Sequence, residues 1–344
     1  MHARKILVTG GAGYIGLHTV VELIDAGYEP ILLDNFSNSH PRMIQRAEEI
    51  LKRPLQVYKS DCSNPKSVEK VFQREGEFHA IIHFAALKAV GESMEQPLRY
   101  YRNNVDSLLT LLESARRHQT PHFVFSSSCT VYGEPDRIPV TESTPQKDAE
   151  SPYGDTKKIA ERILEALVAS QAPIKIVSLR YFNPIGAHPS ALIGELPLGV
   201  PKNLVPFVTQ TAAGIRQELV VYGDDYDTPD GTCIRDYLHV VDLARAHVSA
   251  LGFLDRAKAA SLYDVFNVGT GRGHSVLEII HTFERTTGVK LNYRLGPRRP
   301  GDIEKIYANT DKSRKLLKWR PKFTLKDSLK HAWAWQQELG ISRK

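Results

Sequence analysis

The stretch Val8-Thr9-Gly10-Gly11-Ala12-Gly13-Tyr14-Ile15-Gly16 lies close to the start of the chain and decides its fold. The apolar run 5–8 before it is typical of a β-strand, and residues 17–26 after it carry apolar side chains at helical spacing. A glycine loop between a strand and a helix brings backbone N–H groups and a helix N-terminus to one point, where a pyrophosphate fits. We therefore expect Gly10, Gly13 and Gly16 to form a dinucleotide-binding loop.

An acidic residue follows at the distance that such a loop requires. Residues 30–34 predict a second buried strand, and Asp34 ends it 18 residues beyond Gly16. A carboxylate at this point accepts hydrogen bonds from the adenosine ribose hydroxyls. It also repels a 2′-phosphate, and residues 35–37 contain no arginine that could receive one. A structural turn followed by a solvated acid is the alternative, but it explains the strand–loop–helix–strand order less well, so the expected cofactor is NAD.

The composition of the 344 residues is that of a soluble globular protein, with 42% hydrophobic and 24% charged side chains. The net charge of +6 comes from basic residues scattered among acids, which an anionic small substrate explains as well as nucleic acid does; we expect no nucleic-acid partner. No apolar run approaches the ~18 residues that span a bilayer, so we expect no membrane partner. Because the first predicted strand begins within a few residues, we also expect no signal peptide.

The cysteines and histidines indicate a cytoplasmic protein without a metal. Cys62, Cys129 and Cys233 lie far apart and form no CxxC pair, which argues against both a disulfide framework and a zinc site. The thirteen histidines show no metal-ligand spacing either. We therefore expect a reducing compartment, the cytoplasm, and no metal ion.

Up to about residue 180, predicted strands and helices alternate as in a doubly wound parallel sheet. Further strands are predicted at 55–58, 79–86 and 122–125, and helices are predicted up to about residue 51 and over 65–75 and 97–117. Beyond residue 180 the alternation breaks, with a helix from Asn203, a strand over 219–223 and a closing helix over 325–339. We expect an α/β protein with a Rossmann-type doubly wound parallel sheet over 1–180. A smaller C-terminal α/β substrate domain would occupy 181–344, with some segments returning to the first domain.

Open α/β sheets bind ligands at the carboxyl ends of their strands, and candidate residues follow several predicted strands here. Asp61 and Cys62 follow the third strand, where adenine would lie, and residues 84–88 follow the fourth, where nicotinamide would lie. Asn103 and Asn104 interrupt the apolar face of the helix predicted over 97–117. These two amides are either solvated or involved in binding.

Two segments carry the residues for proton transfer. The fifth predicted strand runs into Ser126-Ser127-Ser128-Cys129-Thr130, and Ser151-Pro152-Tyr153-Gly154-Asp155-Thr156-Lys157 opens the next helix. Tyr153 and Lys157 are four residues apart and therefore share one helix face. A neighbouring ammonium and a bound pyridinium would both lower the tyrosine pKa from about 10, which makes a general base near neutral pH. An ordinary helical Tyr/Lys pair is the weaker alternative, because the glycine loop and the serine cluster accompany this one.

Together these motifs resemble the extended short-chain dehydrogenase/reductase family, and within it the UDP-glucose (UDP-galactose) 4-epimerases. The resemblance spans essentially the whole chain. Further segments that carry it are residues 83–93, Leu179-Arg180-Tyr181-Phe182-Asn183-Pro184-Ile185-Gly186, Arg235-Asp236-Tyr237-Leu238-His239 and Pro297-Arg298-Arg299-Pro300-Gly301-Asp302. The departures are Leu17 for a usual serine, Cys129 for a usual alanine and Asp155 where a basic residue is common. None removes a catalytic group, although Asp155 would slightly oppose phenolate formation if it faced the site.

The resemblance implies a role for each residue of the site. The catalytic residues would be Tyr153, Lys157 and Ser128. The cofactor would contact Gly10, Gly13, Tyr14, Ile15, Gly16, Asp34, Asn35, Asp61, Cys62, Phe84, Ala85, Lys88, Asn103, Tyr153, Lys157 and Tyr181. The substrate would contact Lys88, Ser128, Tyr153, Asn183, Asn203, Leu204, Val221, Tyr222, Arg235, Arg299, Asp302 and Ile306. Arg235 and Arg299 would bind the phosphates, Asp302 the ribose, and Val221 and Tyr222 would lie beside the uracil.

The implied activity is the reversible 4-epimerisation of UDP-glucose and UDP-galactose. Tyr153 would remove the proton of the sugar 4-hydroxyl while hydride passes from C4 to tightly bound NAD, and Ser128 would bond the 4-oxygen. The 4-keto sugar would then turn and accept the hydride on its other face, so that the cofactor is not consumed. The resemblance also implies a homodimer packed through the helices near 97–117 and 153–170.

Two alternatives stay open from the sequence. A nucleotide-sugar dehydratase or decarboxylase needs extra acid/base groups, and such relatives place acidic residues directly after the Ser/Thr position, where this chain has Cys129 and Thr130. A non-catalytic, NAD-sensing binding protein would be expected to have lost Ser128, Tyr153 or Lys157, and all three are present.

The family resemblance also bears on which sugars fit. The residue four past Asp302 would flank the sugar 2-position, and here it is Ile306. A tyrosine there resembles enzymes restricted to glucose and galactose, whereas smaller residues resemble those that also accept N-acetyl sugars. Since isoleucine is intermediate in size between tyrosine and those smaller residues, we expect UDP-GlcNAc and UDP-GalNAc to be interconverted more slowly than UDP-glucose and UDP-galactose. Lys88 fits the glucose-competent groups of the family.

Overall fold

The computed structural model describes residues 4–299 and 301–341, so that Pro300 of the motif at 297–302 lies outside the described residues. The strands are β1 (Arg4–Thr9), β2 (Tyr28–Asp34), β3 (Gln56–Lys59), β4 (Ala80–His83), β5 (His122–Ser128), β6 (Lys175–Tyr181), β7 (Asn183–Ile185), β8 (Leu219–Tyr222), β9 (Ile234–Arg235), β10 (Tyr237–His239), β11 (Leu262–Val268), β12 (His274–Ser275), β13 (Tyr293–Gly296) and β14 (Lys305–Ile306). The helices are α1 (Tyr14–Asp25), α2 (Arg42–Leu51), α3 (Pro65–Glu75), α4 (Val90–Glu95), α5 (Pro97–Tyr101), α6 (Ser107–Arg117), α7 (Pro152–Ala169), α8 (Leu204–Ala212), α9 (Val240–Arg256), α10 (Val276–Thr287) and α11 (Leu325–Ile341). Short π-helical turns lie at Arg102–Asp106 and Ser313–Leu317, and a 3-10 helix lies at Cys129–Tyr132.

Within the described residues, seven parallel strands form one sheet in the order β3-β2-β1-β4-β5-β6-β11. Its direction of winding reverses between β1 and β4, and doubly wound sheets bind ligands at that switch point, beyond the carboxyl ends of the strands. The predicted Rossmann-type fold is thus confirmed. The switch point also places the glycine loop after β1 beside the loop after β4.

Both faces of this sheet are covered by helices, which explains the buried apolar runs in its inner strands, such as residues 6–8 of β1 and 80–82 of β4. Alternate residues of β1 point to opposite faces, so that Ile6 and Val8 pack in one core and Leu7 packs in the other. The first core includes residues of α1 and α9, and the second includes residues of α3, α6 and α7. The sheet is therefore a rigid, buried platform under the site.

The later half of the chain contributes to the large sheet as well as to small ones. α9 packs against α1, and β11 pairs with β6 along its whole length. The other late strands form three small sheets, β10-β7, β12-β9-β14 and β13-β8, beside a smaller core that includes Val208, Phe283 and Leu329. Residues 240–268 thus lie with the large sheet, and a domain boundary at residue 180 stays a prediction.

Three predicted elements differ from the structure. The strand predicted over 79–86 is shortened to Ala80–His83, and the chain after it passes against the backbone of Gly10. The strand predicted over 122–125 continues to Ser128, because β6 pairs with it as far as this residue. The helix predicted over 97–117 contains the π-helical turn, and both asparagines lie in that turn.

Two further observations bear on the environment of the protein. Cys62, Cys129 and Cys233 are free thiols. Among the described residues, we find no helix with the length and apolar character needed to cross a membrane.

Candidate active site

The glycine loop after β1 forms a cradle that side chains would fill. Gly10 has a φ of +67°, and a Cβ on it would lie 2.8 Å from the backbone nitrogen of Ala85. A Cβ on Gly16 would lie 2.3 Å from the carbonyl oxygen of Gly10. Gly13 is the N-cap of α1, and no side chain in the described part of the chain caps it. The first N–H groups of α1 are therefore available to an anion, as pyrophosphate binding requires.

Asp34 is buried at the carboxyl end of β2, next to this cradle. One of its carboxylate oxygens accepts a hydrogen bond from the Ala12 backbone nitrogen at 3.0 Å. The other accepts hydrogen bonds from the Phe36 backbone nitrogen and from Ser39 Oγ, both at 2.8 Å. These bonds hold the carboxylate beside the glycine loop, on the side predicted for the adenosine ribose.

The residues predicted near adenine also come together. Asn35 Nδ2 donates a hydrogen bond to Asp61 Oδ2 at 3.0 Å. Partial burial raises the pKa of Asp61, but hydrogen bonds from Ser63 and Asn35 outweigh burial and lower that pKa overall. Cys62 is buried beside them, and burial raises the pKa of its thiol to about 12, so this cysteine is neutral.

Ser128, Tyr153 and Lys157 meet at the carboxyl edge of the sheet, and all three are buried. Ser128 ends β5, whereas Tyr153 and Lys157 share one face of α7. Lys157 Nζ donates a hydrogen bond to the Ser126 carbonyl at 2.7 Å and lies 6.0 Å from the centre of the Tyr153 ring. The structure thus brings the three predicted catalytic side chains together.

The start of α7 explains this placement. Ser151 is the N-cap of α7, and its hydroxyl accepts a hydrogen bond from the Gly154 backbone nitrogen at 3.2 Å. Pro152 occupies the first helical position, where its missing N–H is not needed. Tyr153 therefore lies in the first turn of the helix, directly opposite the end of β5.

Burial is the largest influence on the pKa of Tyr153. It raises the pKa of the phenol well above the ordinary value, and the hydroxyl of Ser128 offsets only part of this rise. Burial also lowers the pKa of Lys157 to about 8, against the opposing effect of Glu161. The expectation that a neighbouring ammonium and a bound pyridinium lower the pKa of Tyr153 stays a prediction.

A buried ion pair that the sequence analysis missed lies behind the catalytic residues. Glu161 binds Arg180 through two parallel hydrogen bonds, at 2.9 Å to Nε and 2.6 Å to Nη2. Ser127 donates to Glu161 at 2.6 Å, and Arg180 donates to Tyr132 at 3.0 Å. This network ties α7 to β5 and β6. The sequence did contain a signal for Glu161: it lies four residues past Lys157, and this spacing places both residues on one face of the helix.

Asn104 determines the position of the loop predicted to face nicotinamide. Its Oδ1 accepts a hydrogen bond from the Leu87 backbone nitrogen at 2.8 Å, and its Nδ2 donates to the Leu87 carbonyl at 3.0 Å. The same Nδ2 lies 3.0 Å from Thr156 Oγ1 in α7. Asn103 donates to Asn104 at 2.9 Å. The π-helical turn, a feature that recurs at functional sites, therefore aims an amide at this loop.

Other predicted cofactor residues lie along the same edge. Phe84 and Tyr181 both pack near His247, with ring centres 4.6 and 6.2 Å from it. The hydroxyls of Tyr181 and Ser126 are 2.5 Å apart, and burial raises the pKa of Tyr181 to about 12. Tyr14 donates a hydrogen bond to the Gly186 carbonyl at 2.7 Å, while Ile15 packs against the first core.

The predicted phosphate and ribose residues form a more exposed group. Arg299 donates a hydrogen bond through Nη2 to Asp302 at 2.7 Å, and its guanidinium lies 5.7 Å from the centre of the Tyr222 ring. Arg235, in β9, is paired in register with Ile306, in β14. The structure thus brings Tyr222, Arg299 and Asp302 together, and it places Arg235 next to Ile306.

Glu195 is a second residue that the sequence analysis missed. Its carboxylate accepts a hydrogen bond from Asn203 Nδ2 at 2.6 Å and lies 3.8 Å from Lys88 Nζ. It therefore joins two residues predicted to touch the sugar that are far apart in the chain. An isolated acid in a loop carries no sequence signal of such a role.

Several predicted substrate residues differ in exposure. Val221 packs in the smaller core, and Ile306 packs with Tyr132 and Phe182 in another, so neither side chain is open to solvent. Asn183 is exposed in β7 and Leu204 begins α8. The contacts of Val221 with uracil and of Ile306 with the sugar stay predictions.

Asp155 does not act on the catalytic tyrosine through a hydrogen bond. Its carboxylate accepts a hydrogen bond from the hydroxyl of Tyr101 at 2.7 Å. It thus helps α5 pack against α7. The expectation that Asp155 would slightly oppose phenolate formation if it faced the site stays a prediction.

Comparison with known proteins gives a consistent result. The family model described as GDP-mannose 4,6 dehydratase matches residues 7–332. A UDP-glucose 4-epimerase of Dictyostelium discoideum is 47% identical over 96% of this chain and 95% of its own, and one of Bacillus subtilis is 47% identical over 96% of each. The crystal structure of UDP-glucose 4-epimerase from Bifidobacterium longum in complex with NAD+ and UDP is 46% identical, with a TM-score of 0.92, and covers 97% of this chain and 98% of that one.

Proposed function

The chain belongs to the UDP-glucose 4-epimerase family of extended short-chain dehydrogenases/reductases, and from this premise we propose that it interconverts UDP-glucose and UDP-galactose with NAD as a tightly held cofactor. The observation that carries the proposal is the buried meeting of Ser128, Tyr153 and Lys157 beside the glycine cradle. This arrangement can remove the proton of one sugar hydroxyl and return it while excluding water.

NAD fits the residues present at the switch point of the sheet. Gly10, Gly13 and Gly16 leave room for a pyrophosphate at the N-terminus of α1. Asp34 would receive the adenosine ribose, with Asn35, Asp61 and Cys62 near adenine and Phe84, Ala85, Lys88, Asn103 and Tyr181 toward nicotinamide. When bound, NAD supplies a hydride acceptor and a second positive charge beside the ammonium of Lys157.

The protein side chains carry out the proton transfer. Tyr153 accepts the proton of the sugar 4-hydroxyl, and Ser128 donates a hydrogen bond to the 4-oxygen. Lys157 is held by the Ser126 carbonyl at 2.7 Å, so that its ammonium favours the phenolate once the burial of Tyr153 is offset. Because Tyr153 is buried, the proton is returned to the sugar rather than lost to water.

The second half of the site would bind the nucleotide sugar. Arg235 and Arg299 suit phosphate oxygens because the guanidinium offers a planar pair of donors. Since Arg299 binds Asp302 in the structure, it would exchange or share that carboxylate when a diphosphate arrives and Asp302 takes the ribose. The uracil and sugar would contact Lys88, Asn183, Asn203, Leu204, Val221, Tyr222 and Ile306.

Dehydration is the second candidate, favoured by the description of the family model. Elimination of water requires an acid near the nicotinamide, and such relatives carry acidic residues directly after the Ser/Thr position. Here Cys129 and Thr130 follow Ser128, and burial raises the pKa of the Cys129 thiol to about 12. A neutral thiol with so high a pKa is a poor general acid, so epimerisation is the better-supported activity.

The decisive experiment uses the purified protein with UDP-galactose and no added nucleotide. We expect UDP-glucose to appear at a rate proportional to the enzyme, because the hydride returns to the same sugar. A 4-keto-6-deoxy product would indicate the dehydratase instead. Bound NAD without any conversion would leave only the non-catalytic, NAD-sensing alternative. Acid-released cofactor should be NAD(H), and recovery of NADP(H) would contradict the role of Asp34.

N-acetylated sugars are proposed as slower substrates. An isoleucine at position 306 is smaller than a tyrosine and leaves more room beside the sugar. UDP-GlcNAc and UDP-GalNAc should therefore be interconverted, but less rapidly than the plain hexoses. The absence of any turnover at millimolar N-acetyl substrate would contradict this interpretation.

We also propose a homodimer in the cytoplasm. Leu98 and Leu109 are 77% and 40% exposed on helices α5 and α6, which belong to the predicted dimer surface, and apolar exposure there favours burial against a second copy. Light scattering should give twice the chain mass, and the double variant Leu98→Glu, Leu109→Glu should shift it toward one chain mass. Free thiols at all three cysteines fit a reducing compartment.

A further inference from the structure

Three ionisable side chains meet at the edge of the large sheet that lies opposite the catalytic residues. His79 comes immediately before β4, His122 is the first residue of β5, and Asp255 lies in the last turn of α9. These are the amino ends of the strands, whereas Ser128 lies at the carboxyl end of β5. The cluster is therefore separate from the candidate active site.

The distances within this cluster suit a small tetrahedral cation. Asp255 Oδ1 lies 2.8 Å from His79 Nε2 and 3.3 Å from His122 Nε2. One ligand atom from each residue lies within 4.8 Å of the others. Ligands at about 2.0–2.1 Å on the corners of a tetrahedron around Zn²⁺ are about 3.3 Å apart. Small side-chain rotations would therefore bring the three atoms onto one ion.

The two imidazoles face the carboxylate with the same ring atom. Nε2 of His79 and Nε2 of His122 lie 2.8 Å and 3.3 Å from Asp255 Oδ1, and Nε2 of His79 is buried. A ring nitrogen such as Nε2 is the atom through which an imidazole binds a metal.

Neighbouring residues fix the carboxylate of Asp255 and leave one side of the cluster open to solvent. Arg4 donates to the second oxygen of Asp255 at 2.7 Å, so Oδ1 is the oxygen left for a cation. The side chain of Asp255 is 25% exposed, whereas that of His122 is 7% exposed. A water molecule can therefore complete the coordination from the Asp255 side, while the imidazoles close the other side.

We propose that His79, His122 and Asp255 form a Zn²⁺ site that fastens the end of α9 to the amino edge of the sheet. Two imidazoles and one carboxylate are a ligand set that zinc accepts, whereas magnesium and calcium prefer oxygen ligands throughout. Because the three residues come from separate elements, bound zinc stabilises the fold. It takes no part in the epimerisation, which occurs at the other edge.

The test uses untagged, dialysed holoenzyme titrated with ZnCl2 and followed by thermal unfolding. We expect Tm to rise by a few degrees as zinc reaches about a hundredfold excess over its dissociation constant. Co²⁺ as a probe should give the visible absorption bands of a tetrahedral ion with nitrogen and oxygen ligands. An unchanged Tm together with no Co²⁺ absorption would overturn the proposal.

Variants distinguish Zn²⁺ binding at this cluster from Zn²⁺ binding at other histidines of the protein. His79→Gln and Asp255→Asn should each weaken Zn²⁺ binding by at least the about 10- to 100-fold that loss of an outer-shell partner costs. His274→Gln is the matched control, since His274 pairs with Glu278 at 2.7 Å on the surface, and it should leave binding unchanged. Loss of the zinc effect in that control, or its persistence in both cluster variants, would contradict the assignment.

One variant should act in the opposite direction. Arg4→Gln removes a positive charge next to Asp255 and should tighten Zn²⁺ binding several-fold, because a neighbouring cation repels the metal. A merely adventitious histidine contact would not respond to Arg4. Equal or weaker binding in this variant would contradict coordination through Asp255.

Discussion

The candidate site has a half with the predicted catalytic residues and a half with the predicted nucleotide-sugar residues, and the two halves differ in burial and in the sheets that support them. Ser128, Tyr153 and Lys157 are all buried at the edge of the seven-stranded sheet. Of the predicted phosphate and uracil residues, Tyr222 and Arg235 lie on two- and three-stranded sheets and Arg299 lies in a loop. Tyr222 is 45% exposed and the Arg299 side chain 56% exposed. The comparison suggests that chemistry here depends on dry, fixed groups, whereas recognition depends on charges that can exchange partners.

Two ion pairs, one in each half of the site, show the same difference between buried and exposed groups. The side chains of Arg180 and Glu161 are 6% and 5% exposed, and their hydrogen bonds tie helix α7 to strand β6 of the large sheet. Arg299 and Asp302 are three residues apart in one loop and are open to solvent on the arginine side. The first pair is costly to break, while the second can open when a ligand arrives.

The strongest test of the catalytic half is Tyr153→Phe. The ring stays in place but the ionisable oxygen is lost, so kcat should fall about 100- to 10,000-fold with little change in KM. Steady-state rates with UDP-galactose measure this effect. Tyr101→Phe is the matched control, because it removes another phenol of the same helical region, and its kcat should stay near wild type. A Tyr153→Phe variant with near-normal kcat would remove this residue from the mechanism.

The next largest effect should come from Glu161→Gln, which leaves Arg180 as a buried charge without its counter-ion. Urea unfolding should show a loss of about 3–5 kcal/mol in the free energy of unfolding. Asp302→Asn breaks the exposed pair and should cost about 1 kcal/mol or less. Similar losses in the two variants would show that burial does not distinguish the pairs as proposed.

Recognition should respond most to Arg299→Ala. Loss of a charge-assisted contact with phosphate should raise KM for UDP-galactose about 10- to 100-fold, with a smaller change in kcat. Arg298→Ala is the control, since Arg298 binds Asp225 at 2.6 Å, and its KM should change by about twofold at most. Added salt should raise KM for wild type but leave kcat unchanged, because exposed charges are screened. A fall in kcat with constant KM would place Arg299 in the catalytic half.

The smallest effect concerns Ile306, which lies between the two halves. Ile306→Tyr should lower the ratio of N-acetyl to plain hexose turnover about tenfold, because the larger ring fills the space beside the sugar. Since Ile306 is buried, thermal unfolding must accompany the assay, and a loss of about 1–3 kcal/mol is expected from overpacking. Ile306→Val should leave the ratio unchanged. An unaltered ratio in a folded tyrosine variant would show that position 306 does not contact the sugar.

Local sequence patterns determined the parts of this protein that depend on neighbouring residues. The strand–glycine loop–helix unit, the acid at position 34 and the Tyr153/Lys157 spacing could all be interpreted because they lie within a few turns of chain. They predicted the fold class, and they singled out the side chains that the structure brings together at the carboxyl edge of the sheet. The free thiols and the family resemblance followed from residue identity alone.

Tertiary structure decided what depends on residues distant in sequence and on burial. Three contacts join separate segments of the chain. Asn104 binds the backbone of Leu87, and Glu195 lies between Lys88 and Asn203. The third contact is the cluster of His79, His122 and Asp255. The return of β11 to the large sheet has the same origin. The raised pKa of Tyr153 shows the effect of burial, which is the largest cause of the shift, because only packing determines how much water the phenol loses.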